Sequence, residues 1–250
     1  MINNVRKTVL SVLNKNNYGY ISPDDFNMYA RQAQLEVFES YFYSFNKAVN
    51  LTNLRTAGTD YADLVEKIEQ DIDVFHVTKA LTVDPSGGYY APSLVTTGDE
   101  AYMVMGLDLL DTGVFKGEAT RISNSKIRPL VASNLTAPSY SSAVYTENAG
   151  TYVTYPSTSA AGDCEARYIR YPSEPKWTYL AFGNGEPLFN GSATDFQDFE
   201  VSPSEETELI NKILQMAGMS IRDIEIVKMA DREEEQLKAN KTKTNTNRTR

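Results

Sequence analysis

From Ser22 to about Asn50 the sequence reads as one uninterrupted helix whose apolar residues are too many for a single face. Ser22-Pro23-Asp24-Asp25 supplies a capping hydroxyl, a proline at the first helical position and an acid three residues after the cap, and neither Gly nor Pro follows before Asn50. At about 100° per residue, Phe26, Ala30, Ala33, Val37, Tyr41 and Ala48 form one stripe. Leu35, Phe38, Phe42, Phe45 and Val49 form a second, roughly 110° away. The apolar arc is therefore roughly 200° wide, about twice what a surface helix of a monomer requires. Glu36, Glu39, Tyr43, Asn46 and Lys47 lie outside it. One stripe can pack on the chain's own helices. The second predicts either a neighbouring subunit or a central place in an intramolecular bundle.

The rest of the chain divides around this helix into a helical start, a turn-rich middle and a helical end, with boundaries near residues 76 and 202. Residues 1–76 form the first helical part, in which Tyr61, Leu64, Val65, Ile68 and Ile72 mark a second helix over 60–74, with Thr59 before it as cap. Residues 77–201 are β-rich. Strand-like runs recur at 76–83, 102–110, 119–122, 126–131, 143–146, 151–155 and 166–171, separated by turn signals such as Asp84-Pro85-Ser86-Gly87-Gly88, Asp111-Thr112-Gly113 and Asn148-Ala149-Gly150. From 172 to 200 the chain becomes an irregular arm rich in Pro, Gly and aromatic residues. Ser202-Pro203-Ser204-Glu205 is a second capping box, opening a helix that Gly218 is expected to stop. Helical sequence resumes at Ser220 and loses its apolar face after Ala230. The expected fold is α+β: terminal helices packed as a small bundle, residues 202–240 on the N-terminal part, with an inserted antiparallel sandwich or barrel-like domain. With 41% hydrophobic residues in 250, the chain can fill such cores.

Composition removes most chemistry. One Cys and one His leave Cys164 without a disulfide partner and exclude any HExxH or multi-histidine zinc site. Cys164 with His76 is the one thiol and imidazole pair available, and no catalytic signature surrounds it. Asp24 and Asp25 suit the first turn of a helix, and Glu233, Glu234 and Glu235 read as a solvated face. The sequence GNGEP at 183–187 matches neither phosphate-binding glycine pattern. No catalytic residue, metal or cofactor is expected. No run approaches the roughly 18 apolar residues of a membrane span, and the opening sequence lacks the features of a signal peptide. A cytosol-like compartment and no membrane partner are expected.

Charge and aromatic content point to contact. The last ten residues hold Lys241, Lys243, Arg248 and Arg250 and no acid, so the 240 residues before them carry 20 basic against 33 acidic groups, a net −13. An acidic body repels duplex DNA, which excludes sequence reading, whereas the polar basic tail at 241–250 suits an acidic partner. Sixteen tyrosines suit half-buried protein interfaces. Tyr168, Tyr171 and Trp177, with Tyr179, are interface candidates beside Leu35, Phe38, Phe42 and Phe45. The same rings could instead stack on a sugar, as in a carbohydrate-binding module.

Three segments carry a family resemblance. Ser22 to Phe26 with Ala30 to Glu39 resembles the opening helix of structural proteins from tailed bacteriophages, in particular crAss-like and related short-tailed phages. Tyr168 to Pro172 through Pro175-Lys176-Trp177, and Glu208 to Ile210 through Ile213-Leu214, Ala217-Gly218 and Ser220 to Asp223, are similar to recurring segments of head-tail connector, or neck ring, proteins. The resemblance covers both ends and little of residues 84–165. It implies a non-enzymatic virion protein of the neck, assembled in the host cytoplasm as a homo-oligomeric ring of twelve copies. Its implied partners are the portal protein, other neck and tail rings, and phage DNA passing without sequence recognition. A nozzle, tail-tube or capsid-associated component of the same particle is the alternative within that class.

Overall fold

The computed structural model describes residues 1–14, 21–54, 62–85, 87–93, 99–111, 113–157, 162–181, 187–221, 232–233 and 235–236. The chain forms two compact units, Met1–Asp71 with Pro172–Arg250, and Ile72–Tyr171. The fold is α+β with an inserted β unit, but the insertion ends at Tyr171 instead of residue 201. The arm from Pro172 onward belongs to the helical unit because its polar and aromatic groups are bound there, as described below.

In the helical unit, α1 (Ile2–Asn14), α2 (Pro23–Leu54), most of α3 (Ala62–Asp73) and α5 (Glu206–Ile221) are the helices. Ser22 caps α2 as its sequence predicts: its hydroxyl accepts the Asp25 N–H at 3.1 Å and donates to Asp25 Oδ2 at 2.7 Å. The first stripe of α2, from Phe26 through Ala48, is buried throughout. It meets α5, which contributes Leu209, Ile213, Leu214 and Ala217 and also packs on α1. Helix α1 adds Ile2, Val5, Val9 and Leu13, one face at helical spacing.

The start of α5 departs from expectation. Ser202 makes no side-chain cap; its carbonyl accepts the Glu205 N–H at 2.9 Å, and a 3₁₀ turn, Pro203–Glu205, leads into the helix. The Ser202 hydroxyl pairs with that of Ser204 at 2.9 Å instead. Gly218 does not stop α5, which runs on to Ile221. An interior glycine costs about 1 kcal/mol, less than burial of the neighbouring Leu214 and Ala217 returns.

The β unit contains β1 (His76–Ala80), β2 (Tyr89–Tyr90), β3 (Ala101–Asp111), β4 (Val114–Arg121), β5 (Ala143–Asn148), β6 (Thr151–Tyr155) and β7 (Cys164–Arg170), in the order β1-β7-β3-β4-β5-β6-β2. All pairs are antiparallel except β4 with β5. That parallel pair needs a crossover, and α4 (Asn124–Ala132) supplies it. The strand expected at 126–131 is therefore a helix; Pro129 within it would also have broken a sheet ladder.

The sheet closes on itself. Beyond β1, Leu81 N–H donates to the Cys164 carbonyl at 2.9 Å, while Tyr90 N–H donates to the Thr82 carbonyl at 2.9 Å and Val83 bridges Tyr89. The first and last strands are thus two arms of one hairpin. Of the two β architectures expected, the barrel-like one matches this pattern. Leu81, Tyr89, Leu107, Leu109, Ala119, Ala143, Tyr145, Tyr152, Cys164, Ala166 and Tyr168 form one buried cluster in this unit. In register, Asp108 stands between Glu165 and Glu118. Arg167 relieves this row of acids, with Nε 2.9 Å from Asp108 and Nη2 2.6 Å from Glu118. Gly106 makes the room, since a Cβ there would sit 2.6 Å from Glu118 Oε1.

The closing hairpin turns at Gly88, where φ is +126° and a Cβ would lie 2.7 Å from the Tyr152 carbonyl oxygen. Gly88→Ala is expected to cost about 2–3 kcal/mol, from left-handed strain and the clash together. Urea unfolding followed by far-ultraviolet circular dichroism checks it.

Candidate interaction site

Polar side chains on two helices clasp the arm that follows Tyr171. On α2, Asn27 accepts the Trp177 N–H at 2.8 Å through Oδ1 and donates to the Trp177 carbonyl at 3.2 Å through Nδ2. Two turns further along, the buried Gln34 donates to the Ser173 carbonyl at 2.8 Å and accepts the Glu200 N–H at 3.0 Å. Glu200 in turn accepts the Ser173 N–H at 2.8 Å. Each amide, half-buried Asn27 and buried Gln34, thus satisfies two backbone groups that the irregular arm leaves open. From α1, Asn3 accepts the Trp177 Nε1–H at 3.2 Å, and the Arg6 guanidinium carbon lies 3.8 Å from the indole ring centroid.

Trp177 is 2% exposed. Tyr179 and Phe189 stack beside it, each 5.8 Å between centroids. These two rings are cross-strand partners in a small ribbon, β8 (Tyr179–Ala181) paired with β9 (Pro187–Phe189). A two-stranded ribbon is marginal alone, and the indole supplies its packing surface. The adjacent cross-strand pair, Leu180 with Leu188, is 55% and 56% exposed. Successive strand residues face opposite ways, so the ribbon packs its aromatic pair and presents its leucines to solvent.

Asp198, later in the arm, holds the start of α1. Its Oδ2 lies 2.7 Å from the Met1 nitrogen, and its Oδ1 accepts the Ile2 N–H at 2.7 Å and the Phe199 N–H at 2.8 Å. Burial pushes this carboxyl upward, and the Met1 ammonium with the two N–H donors outweighs it, so the group sits below the usual carboxylate range.

The β unit carries a second apolar surface. At the β3–β4 hairpin Val114 and Phe115 are 58% and 61% exposed, although the strand segments behind them bury Leu107, Leu109 and Ala119. Sequence reasoning missed both hairpin surfaces. The signal available was a pair of bulky apolar residues immediately after a turn, Val114-Phe115 behind Asp111-Thr112-Gly113.

Several interface candidates are used internally. Phe38, Tyr168 and Trp177 are buried in their own units and have no surface to offer a neighbour. Phe38 instead meets Phe42 edge-on at 5.1 Å. Leu35, Phe42, Phe45 and Val49 are half-buried, and Tyr171 is exposed beside Tyr102, at 5.3 Å between rings. Lys241, Lys243, Arg248 and Arg250 lie outside the described residues, as does most of GNGEP. Part of the tyrosine excess is core: Tyr41, Tyr89, Tyr145, Tyr152 and Tyr168 are buried, and burial raises the Tyr152 phenol to about 12. Trp177 and Tyr168 present no stacking platform for a sugar.

Cys164 and His76 are separated by register. Cys164 lies beside Leu81, whereas His76 pairs with Ile169, five strand positions or roughly 16 Å away. Burial and then Asp108 push the thiol up to about 12, which keeps it protonated and unreactive. Among the described residues no three His, Cys, Asp or Glu side chains are grouped to hold a metal ion, and no helix is long and apolar enough to cross a membrane. No protein-family model matches the sequence, and no curated protein matches it either.

The Asp198 contacts carry a pH dependence. A carboxyl depressed on folding contributes stability above its unfolded pKa of about 3.9 and loses it as pH falls through the lower folded value. Asp198→Asn is expected to cost about 1–2 kcal/mol at pH 7, kept small because the carboxylate is partly exposed and screened. The difference from wild type should shrink as the pH is lowered below about 4. Trp177 fluorescence during urea unfolding at a series of pH values measures it.

Proposed function

We propose that this protein is a structural subunit of a tailed-phage virion, a head-tail connector that assembles as a ring between portal and tail and lines the DNA passage. The reading rests on the resemblance of three segments to phage structural and neck ring proteins. The observation that carries it is the pair of exposed apolar hairpins, Val114 with Phe115 and Leu180 with Leu188. Large apolar side chains displayed on ordered strands mark protein contact surfaces. A cyclic ring joins two different surfaces of each subunit, and these hairpins differ in sequence, in strand setting and in the unit that bears them.

The remaining features suit the same role. A body of net −13 gives a passage that DNA can slide through without adhering, while Lys241, Lys243, Arg248 and Arg250 reach for an acidic neighbour such as the portal or the next ring. Half-buried Leu35, Phe42 and Phe45 and exposed Tyr171 can add to subunit contacts. A ring of twelve copies follows from the resemblance.

Assembly tests the proposal. Mixed with its portal protein, the wild-type chain is expected to form ring-shaped particles by mass photometry and negative-stain electron microscopy. Phe115→Asp, and Leu180→Asp with Leu188→Asp, should each weaken assembly about tenfold or more while leaving circular dichroism unchanged. A wild-type chain that stays monomeric at high concentration with portal present would overturn the reading.

A further inference from the structure

The closure of the sheet covers only the chain beyond β1, and leaves the outer edge of β1 itself unpaired. Leu81 N–H donates to the Cys164 carbonyl and Arg170 N–H to the Phe75 carbonyl, at 2.9 and 3.0 Å. In the same register Val77 faces Tyr168 and Lys79 faces Ala166. These alternate residues direct their N–H and C=O groups at β7, so His76, Thr78 and Ala80 direct theirs the opposite way. Thr82 continues that outward series, where its carbonyl accepts the Tyr90 N–H. The next place in the closing hairpin, opposite Ala80, falls to Pro92, which has no N–H to give. Among the described residues no strand pairs with the outer edge from His76 to Ala80, and these three residues are exposed.

A row of side chains leads to this edge. Ala80 stands opposite Glu165, Glu165 opposite Asp108, and Asp108 opposite Glu118. Arg167 pairs with Asp108 and Glu118, while no cation pairs with Glu165 among the described residues. Ala80, with only a methyl group, leaves Glu165 open toward the edge. Lys79, the cation on β1, is already paired with Asp99. Elsewhere in the sequence, KTKTNTN at 241–247 alternates Lys241, Lys243, Asn245 and Asn247 with Thr242, Thr244 and Thr246, the period of a strand.

We propose that residues 243–247 of a second copy of this chain add to the outer edge of β1 as an antiparallel strand. Lys243 then stands opposite Ala80, Asn245 opposite Thr78 and Asn247 opposite His76, each pair exchanging N–H and C=O bonds. Thr244 and Thr246 come beside Lys79 and Val77, half-buried positions that suit β-branched side chains. Lys243 joins the row two strands, or about 10 Å, from Glu165, a span that the two long side chains bridge over Ala80. A parallel strand would set Lys243 beside His76 and away from Glu165. That the strand comes from a second copy rests on the ring reading above, in which two different surfaces of each subunit meet.

The test mixes full-length chains carrying Thr78→Cys with full-length chains carrying Asn245→Cys at high concentration, without portal, under mild oxidation. Opposed residues of this kind lie about 5.5 Å apart at Cα, within disulfide range, and the buried Cys164 does not compete. The expected product is a disulfide-linked dimer of one chain of each kind, in excess over dimers of either alone. In the wild type, the Thr78 and Ala80 amides should exchange at least about tenfold more slowly in concentrated than in dilute solution, and Asn245→Pro should abolish the difference. The mixed dimer formed by a protein that builds no rings would uphold the added strand and remove the ring. No mixed dimer, or equal exchange of these amides at both concentrations, would overturn the added strand whether or not rings form. A disulfide closing within one chain that carries both cysteines, with no mixed dimer, would overturn the second copy as donor.

Discussion

The two-sided clasp between α2 and the arm is the constraint on which the helical unit depends. That unit is made of two stretches of chain interrupted by the whole β unit. An irregular arm has no ladder to satisfy its backbone, so its N–H and C=O groups need side-chain partners wherever they are buried. Asn27 and Gln34 supply four such bonds from one face of α2, and Trp177 fills the space between arm and helix. Lys212 of α5 then pairs with Glu36 of α2 at 3.1 Å, so the segment after the arm is held by the same helix. The ribbon bearing Leu180 and Leu188 stands on Trp177, which makes the proposed contact surface a consequence of the clasp.

Local signals in the sequence were legible and long-range ones were not. The Ser22 cap, the buried stripe from Phe26 to Ala48 and the strand at 151–155 follow from spacing and capping chemistry within a few residues. The strand expected at 126–131 failed because its alternation is also compatible with one buried residue on a short helix, Ile127, and the deciding fact was the parallel pairing of β4 and β5. Gly218 failed as a stop because packing outweighs a glycine's cost. The arm was misplaced because its partners lie far off in sequence: Trp177 meets Asn27, and Asp198 meets Met1. No local pattern encodes these pairings.

The candidate site shows the same division. Aromatic content singled out Trp177 and Tyr168 as interface residues, but each is buried within its own unit. Burial removes them from any neighbour, and the most exposed apolar strand residues are instead Val114, Phe115, Leu180 and Leu188. The second stripe of α2 illustrates the limit: Phe38 is covered within the unit, while Leu35, Phe42, Phe45 and Val49 are only partly covered. Width of an apolar arc measures how much surface must be covered, and leaves open which chain covers it.

Native-state hydrogen exchange tests the clasp most directly. The amides of Ser173, Trp177 and Glu200 donate to Glu200, Asn27 and Gln34, so they should exchange slowly and in step with the amides of α2 around Ala30 to Val37. Exchange of these three amides at the rate of open coil, or in step with the strands of the β unit, would contradict the assignment of the arm to the helices.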